Sequence, residues 1–189
     1  IEAYETLADT GGAGLHRGGN ALRVGYRFLE PGQISIHNDR WLTYPWGVNG
    51  GLPGARSRKI MIRKNGKKEL LPSKCDRIPV AEGDLLYFDT WGGGGWGDPL
   101  KRPAEKVAFD VEAGLVSRDG AKRYGVVVKP NGTVDEKATA ALRAKMAKKR
   151  GKKLSADDLA RLDALKRKDA ERQALAGNKP VKKEAQEIK

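Results

Sequence analysis

Alternating apolar and polar residues predict β-strands in the first hundred positions. Residues 21–29 alternate in this way, and residues 34–38 do so after a Pro31-Gly32 turn. The two segments are therefore predicted to pair as a hairpin. Residues 85–90 form a further predicted strand, which runs directly into a glycine-rich loop.

A second hairpin is predicted around Asn65-Gly66. The flanking segments, residues 59–63 and 69–71, are rich in apolar and β-branched residues. Asn-Gly favours a type I′ turn, in which both central residues have positive φ. The spacing predicts antiparallel pairing of these two strands.

Helical periodicity begins after Asp98-Pro99. Pro103 suits the first turn of a helix whose apolar stripe is formed by Val107, Val111 and Leu115. Ser117 is predicted to cap a short second helix that ends at Gly125, before a strand over residues 126–128.

Two further helices are predicted in the basic part of the chain. Asp135 is a candidate cap for a helix over 136–149, and Ser155 for one over 156–175. Residues 177–189 have no core-forming pattern and are predicted to be disordered. We therefore expect an α+β fold, with a β-rich, glycine-looped unit and short helices over residues 1–134, a basic helical extension over 135–176, and a disordered tail.

Two glycine-rich segments, residues 9–19 and 90–99, carry the main candidate chemistry. Four consecutive glycines lie between Trp91 and Trp96, whereas a flexible linker would mix glycine with serine and avoid large aromatic residues. Ordered glycines imply positive φ or the close approach of another backbone or of a ligand. We therefore expect both segments to be fixed and to lie next to each other at one site or interface.

Composition limits the possible function classes. The chain has 189 residues, one cysteine and a formal charge of +13, and residues 135–189 carry 17 Lys and Arg against 9 Asp and Glu. Most of the net positive charge thus lies in residues 135–189. A lone Cys75, no apolar run long enough for a bilayer and no signal peptide predict a cytoplasmic protein without a membrane partner. The chain opens on Ile1 rather than Met, as a fragment of a longer protein would.

The order of short motifs resembles the carboxyl-terminal portion of the hydantoinase B/5-oxoprolinase family, over about the first three quarters of the chain. The matching blocks are Asp9-Thr-Gly-Gly-Ala-Gly, Arg17-Gly-Gly, Asp39-Arg40, Pro45-Trp-Gly-Val-Asn-Gly-Gly, Pro53-Gly, Leu71-Pro-Ser-Lys, Glu82-Gly-Asp, Thr90 with the glycine run, Gly97-Asp-Pro-Leu, Asp110-Val-Glu-Ala-Gly-Leu-Val-Ser and Tyr124-Gly-Val-Val. His16 and Trp91 depart from the family pattern, which often has an aromatic residue and a proline at these places.

The resemblance implies part of a B-type subunit that works with an A-type ATPase subunit and with the remaining N-terminal part of the B-type polypeptide. Together these hydrolyse cyclic amides such as hydantoins or 5-oxoproline, or carboxylate ketones. ATP and a divalent metal are implied for the complex. No Gly-Lys-Ser/Thr follows the glycine run and the family's metal ligands lie upstream, so neither group is predicted to bind this chain, which is expected to be inactive alone.

Three residues are candidates for catalysis. Arg17 lies between glycines, where it could bind a carboxylate or phosphate, or hold its own loop through Asp9 or backbone carbonyls. His16 could transfer protons near neutral pH. For Asp9, capping of the glycine turn is favoured over acid–base chemistry.

Contact with a small-molecule substrate is expected at a second group of residues. Arg40 either pairs with Asp39 or faces an anionic intermediate. The group consists of Gly11, Gly12, Gly14, Arg40, Thr90, Gly92, Gly93, Gly94 and Gly95. Two histidines without an acidic or cysteine cluster give no metal signature.

Two other function classes compete with the enzyme. The basic tail could bind nucleic acid through phosphate neutralisation, but it has no aromatic residue to stack on bases, so this function is disfavoured. Alternatively, the glycine loops and tryptophans could pack against other parts of a multisubunit complex as an assembly module.

Overall fold

A computed structural model describes residues 1–150 and 186–187, which form eight strands and two α-helices. The strands are β1 (Ala3–Thr6), β2 (Leu22–Arg27), β3 (Gly32–His37), β4 (Arg58–Ile62), β5 (Lys68–Leu70), β6 (Lys74–Val80), β7 (Leu85–Asp89) and β8 (Gln186–Glu187). The helices are α1 (Ala104–Glu112) and α2 (Glu136–Arg150), with 3₁₀ helices at Pro99–Lys101 and Gly120–Tyr124. The described part of the chain is therefore α+β, as predicted.

The strands form two antiparallel sheets. The larger sheet has the order β1-β2-β7-β4-β5-β8, and the smaller one consists of β3 and β6. The predicted hairpin between residues 21–29 and 34–38 is wrong, because β2 pairs with β1 on one side and with β7 on the other. Both edges of β2 are thus occupied, and β3 pairs with β6 instead.

The second predicted hairpin is confirmed, but its turn differs from the prediction. Strands β4 and β5 pair with Ile60 opposite Leu70. The Gly66 N–H donates to Arg63 O at 2.7 Å and the Arg63 N–H to Lys67 O at 2.8 Å. Gly66 has φ of +85°, whereas Asn65 does not have positive φ. This is the pattern of a type I turn followed by a glycine bulge.

Two apolar cores hold the elements together. The first lies between the sheets, where Met61 of β4 and Leu86 of β7 pack with Ile36 of β3 and Ile78 of β6. The second joins the helical segment to the first glycine loop and contains Ala13, Val107, Val116, Ala121, Tyr124, Val126 and Val128. Residues 126–128 do not form the predicted strand, since only an isolated bridge joins Val128 to Val134.

Both α-helices begin within one residue of the predicted position. Pro103 precedes α1, Val107 is fully buried, and Leu115 lies beyond the end of the helix at Glu112. The Asp135 carboxylate accepts a hydrogen bond from the Ala138 N–H at 3.0 Å, which caps α2. The predicted helix over 156–175 lies outside the described residues. So does the predicted disordered tail, apart from residues 186–187, which pair with β5.

Candidate functional site

The two glycine-rich segments lie in one bundle of extended backbone. We call residues 10–19, 45–55 and 91–97 the glycine bundle. Residues 91–97 run through its centre. The Gly12 N–H donates to Gly93 O at 2.8 Å, the Gly93 N–H to Gly19 O at 2.8 Å, and the Gly95 N–H to Leu52 O at 2.9 Å. The two glycine segments are therefore adjacent and joined by backbone hydrogen bonds.

Close backbone packing explains why these positions are glycine. A Cβ added at Gly92 would lie 1.9 Å from Thr10 O, and one at Gly94 would lie 1.9 Å from Trp46 O. At Gly18 the distance to Gly93 O would be 2.1 Å. None of the four glycines at 92–95 has positive φ. Of the two reasons for ordered glycine, close approach therefore applies here, and the approaching group is protein backbone.

The predicted substrate-contact glycines differ in their access to solvent. Gly11, Gly12, Gly14, Gly92 and Gly95 are buried, whereas Gly93 and Gly94 are half-buried. Thr90 lies at the end of β7, where its hydroxyl accepts a hydrogen bond from the Leu22 N–H at 2.9 Å.

Several side chains in the glycine bundle are exposed. Backbone bridges join Trp96 to both His16 and Val48, and the rings of His16 and Trp96 are 5.5 Å apart. All three side chains are exposed. Trp46 is also exposed, and the Arg40 guanidinium lies 4.7 Å from the centre of its ring. His16 and Arg40, two of the predicted site residues, thus each lie beside an exposed tryptophan of the glycine bundle.

Arg17 belongs to a buried ion-pair cluster that joins the glycine bundle to α1. Its Nη1 donates to Gly18 O at 2.9 Å and to the Asn20 side chain at 3.0 Å. Its Nε lies 3.6 Å from Asp110, a carboxylate that also accepts a hydrogen bond from Arg102 at 2.8 Å. Two roles were predicted for Arg17: binding a carboxylate or phosphate, and holding its own loop. The contacts above are of the second kind.

Asp9 connects the same loop to the helical segment. Its carboxylate accepts a hydrogen bond from the Ser117 N–H at 2.9 Å, and its backbone has φ of +64°. Arg123 donates to Asp9 O and to Gly11 O. The Asp9 carboxylate thus binds an amide of a distant segment rather than an amide of the glycine turn that it was predicted to cap.

Tyr124 lies next to these arginines in the second core. Its side chain is fully buried, and its hydroxyl has no hydrogen-bond partner among the described residues. Burial raises the pKa of this phenol, against the opposing effect of Arg123, Arg102 and Arg17. The phenol is consequently neutral at physiological pH.

Replacing Asp110 by asparagine is expected to destabilise the protein. The change removes the buried negative charge that Arg17 and Arg102 share, so we expect the free energy of unfolding to fall by about 3 kcal/mol. Urea denaturation of the variant tests this prediction. Asp119→Asn is the matched control, because Asp119 pairs with Lys122 on the surface and should leave the unfolding midpoint unchanged. Equal midpoints for both variants would contradict the prediction.

The described residues contain no group of three or more His, Cys, Asp or Glu side chains that could hold a metal ion. Within residues 1–150, the chain therefore offers no ligand set for the divalent metal that the resemblance implied. The described residues also contain no helix long and apolar enough to cross a bilayer.

Lys59 is an unusual residue that the sequence analysis did not identify. Its side chain has no exposed area, and its Nζ lies 4.5 Å from the centre of the Phe88 ring without a hydrogen-bond partner among the described residues. Burial lowers the pKa of Lys59 to about 8, against the opposing effect of Asp89 and Cys75. One feature of the sequence could have indicated this burial. Lys59 and the apolar Met61 are two positions apart in a predicted strand, so their side chains lie on the same face of that strand.

Comparison with known proteins identifies the family. The family model described as hydantoinase B/oxoprolinase matches residues 1–99, which is more than half of the chain. This match includes both glycine segments and strands β1–β7. The chain therefore belongs to the hydantoinase B/oxoprolinase family.

Individual relatives are subunits of larger enzymes. The beta subunit of the caprolactamase from Pseudomonas jessenii is 36% identical over 157 residues, which cover 76% of this chain and 26% of the relative. The putative D-/L-hydantoinase B subunit of Pseudomonas sp. (strain NS671) is 32% identical over 146 residues, covering 76% and 24%. The acetone carboxylase alpha subunit of Xanthobacter autotrophicus is 29% identical over 184 residues, which cover 76% of this chain and 24% of the relative.

A solved structure supports the same relationship. The crystal structure of the ATP-dependent caprolactamase from Pseudomonas jessenii matches with a TM-score of 0.68 and 33% identity, over 76% of this chain and 26% of that chain. The present chain thus spans about a quarter of the length of these relatives.

Proposed function

We propose that this chain is part of the B-type polypeptide of an ATP-dependent cyclic-amide hydrolase of the hydantoinase/5-oxoprolinase type. The observation that carries the proposal is the match to the caprolactamase beta subunit, at 36% sequence identity and, for the solved structure, a TM-score of 0.68. The rest of the B-type polypeptide and an A-type ATPase subunit are the proposed partners. ATP and any metal are assigned to those parts of the complex.

The chemistry gives each partner a role. The amide carbonyl of a lactam or hydantoin is a poor electrophile, and its hydrolysis is slow without activation. Transfer of the ATP γ-phosphoryl group to the amide oxygen by the A-type subunit would give an activated imidate-like substrate and ADP. The B-type polypeptide would then hold this substrate while a first water adds to the activated carbon and the ring nitrogen leaves as the amine, which breaks the ring C–N bond and gives an acyl phosphate. A second water would hydrolyse the acyl phosphate to the free carboxylate and inorganic phosphate.

Within this chain, we assign proton transfer to His16. Its imidazole is exposed beside Trp96 and can therefore reach a molecule bound there. Arg40, stacked on the exposed Trp46, is assigned to the anionic group of the substrate.

The other predicted site residues form the frame of the proposed site. Arg17 and Asp9 orient the first glycine loop through the contacts described above. Half-buried Gly93 and Gly94 leave backbone atoms within reach of a ligand, while their buried neighbours and Thr90 hold the central segment in place.

Ketone carboxylation is the second candidate reaction. The acetone carboxylase alpha subunit matches 76% of this chain at 29% identity, so the same segment occurs in an enzyme of the other reaction type. The described residues offer no metal ligand set that would favour one reaction over the other.

A chimeric enzyme tests the proposed function. This chain would replace the matched quarter of the caprolactamase beta subunit, and the chimera would be assayed with its A-type partner. We expect ATP hydrolysis that depends on a lactam or hydantoin. ATP hydrolysis that depends only on a ketone and bicarbonate would establish the carboxylase alternative. A folded chimera that is silent with all these substrates would contradict both reactions.

A His16→Gln variant of the active chimera tests the role of the imidazole. We expect turnover to fall by about 100-fold, because general acid–base catalysis contributes on that order, with little change in the thermal midpoint. Lys106→Gln is the control, since Lys106 is exposed on α1 and belongs neither to the glycine bundle nor to the described ion pairs. Unchanged turnover in His16→Gln would exclude proton transfer by this residue.

A further inference from the structure

The larger sheet has one charged face and one uncharged face in its β1–β2 half. The register places Glu5 opposite Arg23 and Arg23 opposite Asp89, so that these charges share one face. Arg23 binds both oxygens of the Asp89 carboxylate, and Arg27 of the same face pairs with Glu2. All the charged side chains of β1 and β2 thus lie on this face, where they are paired.

The opposite face of β1 and β2 has no charged side chain, and none of the elements in the described part of the chain covers it. It carries Tyr4, Thr6, Leu22, Val24 and Tyr26, as the register and strand alternation require. Over β7 and β4 the same face is covered by the β3–β6 sheet. Over β1 and β2 no described element covers it, and Tyr4 is 71% exposed and Tyr26 43% exposed. We call this uncovered area the open face.

A cavity lies where the open face meets the β3–β6 sheet. Its volume is about 380 Å³, and its lining is mainly aromatic and aliphatic, with two polar residues contributed by β3. The lining residues are Tyr26, Phe28, Ile34, Ser35, Ile36, His37, Leu86 and Phe88. This volume holds one or two large apolar side chains. Together the open face and the cavity form an uncharged surface with a concave anchor point, which is typical of a protein interface core.

We propose that the open face and its cavity bind the part of the B-type polypeptide that this chain does not match, through an uncharged apolar segment of that part. The inference rests on the proposed function for the identity of the partner. The occupant would place an apolar side chain in the cavity and lie against Tyr4 and Tyr26.

Two observations select this occupant. The relatives are about four times longer than the segment they share with this chain, so most of each B-type polypeptide lies outside it. The family match also begins at residue 1, in the segment that leads into the edge strand β1, so the open face belongs to the shared segment. A charged partner does not fit, because the open face offers no side chain to pair with it.

Fragment association tests the inference. The unmatched part of the Pseudomonas jessenii caprolactamase beta subunit would be immobilised and its dissociation constant for this whole chain measured. We expect the Tyr4→Ser/Tyr26→Ser variant to bind about tenfold more weakly than the parent chain. Phe109→Ser is the matched control, since Phe109 is 65% exposed on α1, away from the open face, and its loss should change binding less than about twofold.

The outcomes of this experiment test the proposed interface independently of the proposed reaction. No binding by the parent chain, or equal binding by the tyrosine variant, would overturn it even if the covalent chimera is active. Tyrosine-dependent dimerisation of the chain alone, detected by light scattering, would assign the open face to a second copy and also overturn it. Tyrosine-dependent binding with a silent chimera would support the interface and reject the proposed reaction.

Discussion

A Gly18→Ala variant is expected to lose about 3 kcal/mol or more of its free energy of unfolding, whereas Gly19→Ala, one residue away, should be neutral or slightly stabilised. A Cβ at Gly18 would lie 2.1 Å from Gly93 O and 2.6 Å from Gly93 C. A Cβ at Gly19 would meet no atom within 4 Å, and Gly19 does not have positive φ.

The size of the effect follows from which atoms collide. A neighbouring side chain could rotate away from the added Cβ, but Gly93 O is a backbone atom in the centre of the glycine bundle. Its neighbouring amide, the Gly93 N–H, donates to Gly19 O, and the Gly12 N–H donates to Gly93 O itself. Moving this peptide would therefore break ordered backbone hydrogen bonds, whose buried groups would lose their partners.

Urea denaturation of both variants measures the difference. Gly94→Ala should behave like Gly18→Ala, since its Cβ would lie 1.9 Å from Trp46 O. If Gly18→Ala does not yield folded protein, its soluble fraction relative to Gly19→Ala gives the same comparison. Equal stability of Gly18→Ala and Gly19→Ala would show that the glycine bundle is loosely packed.

Replacing Lys59 by methionine is expected to stabilise the protein at neutral pH by about 2 to 3 kcal/mol. Methionine has a similar length and fills the site between Phe88 and the first core without a charge. Burial lowers the pKa of Lys59 from 10.5 to about 8. This difference corresponds to about 3 kcal/mol that the folded chain loses by holding a buried protonated amine, which has no hydrogen-bond partner among residues 1–150.

The pH dependence provides an independent test. Below about pH 8 the amine is protonated in both the folded and the unfolded chain, so the full penalty is present. Between pH 8 and 10.5 the unfolded chain binds more protons than the folded chain, so the stability of the parent chain rises with pH. Lys59→Met lacks this contribution, and its advantage should shrink to near zero by about pH 10.5.

Urea midpoints at pH 7, 8.5 and 10 would measure this convergence. Lys68→Met is the matched control, because Lys68 is exposed on β5 and should show no pH-dependent difference from the parent chain. A constant difference between Lys59→Met and the parent chain over this range would contradict the burial of a lysine with a lowered pKa. Destabilisation by Lys59→Met would indicate that the amine has a stabilising partner.

Local sequence patterns determined a large part of this fold. The β4–β5 hairpin, β7, the 3₁₀ turn ended by Gly125 with φ of +67° and the Asp135 cap of α2 were all predicted. Each of these elements depends on residues that are close in the sequence. Their hydrogen-bonding and rotamer preferences can therefore be predicted from the neighbouring residues. The glycine segments were also predicted to be ordered, because their composition is unlike that of a linker.

Only the tertiary structure decided which distant segments meet. It placed β2 between β1 and β7 rather than beside β3, and it showed that the glycines face protein backbone from three segments of the chain. It also buried Lys59 and gave Asp110 two arginine partners. The alternation along one strand fixes which side chains share a face. Which partner covers that face depends on pairing between remote segments, and on this the local pattern carries no information.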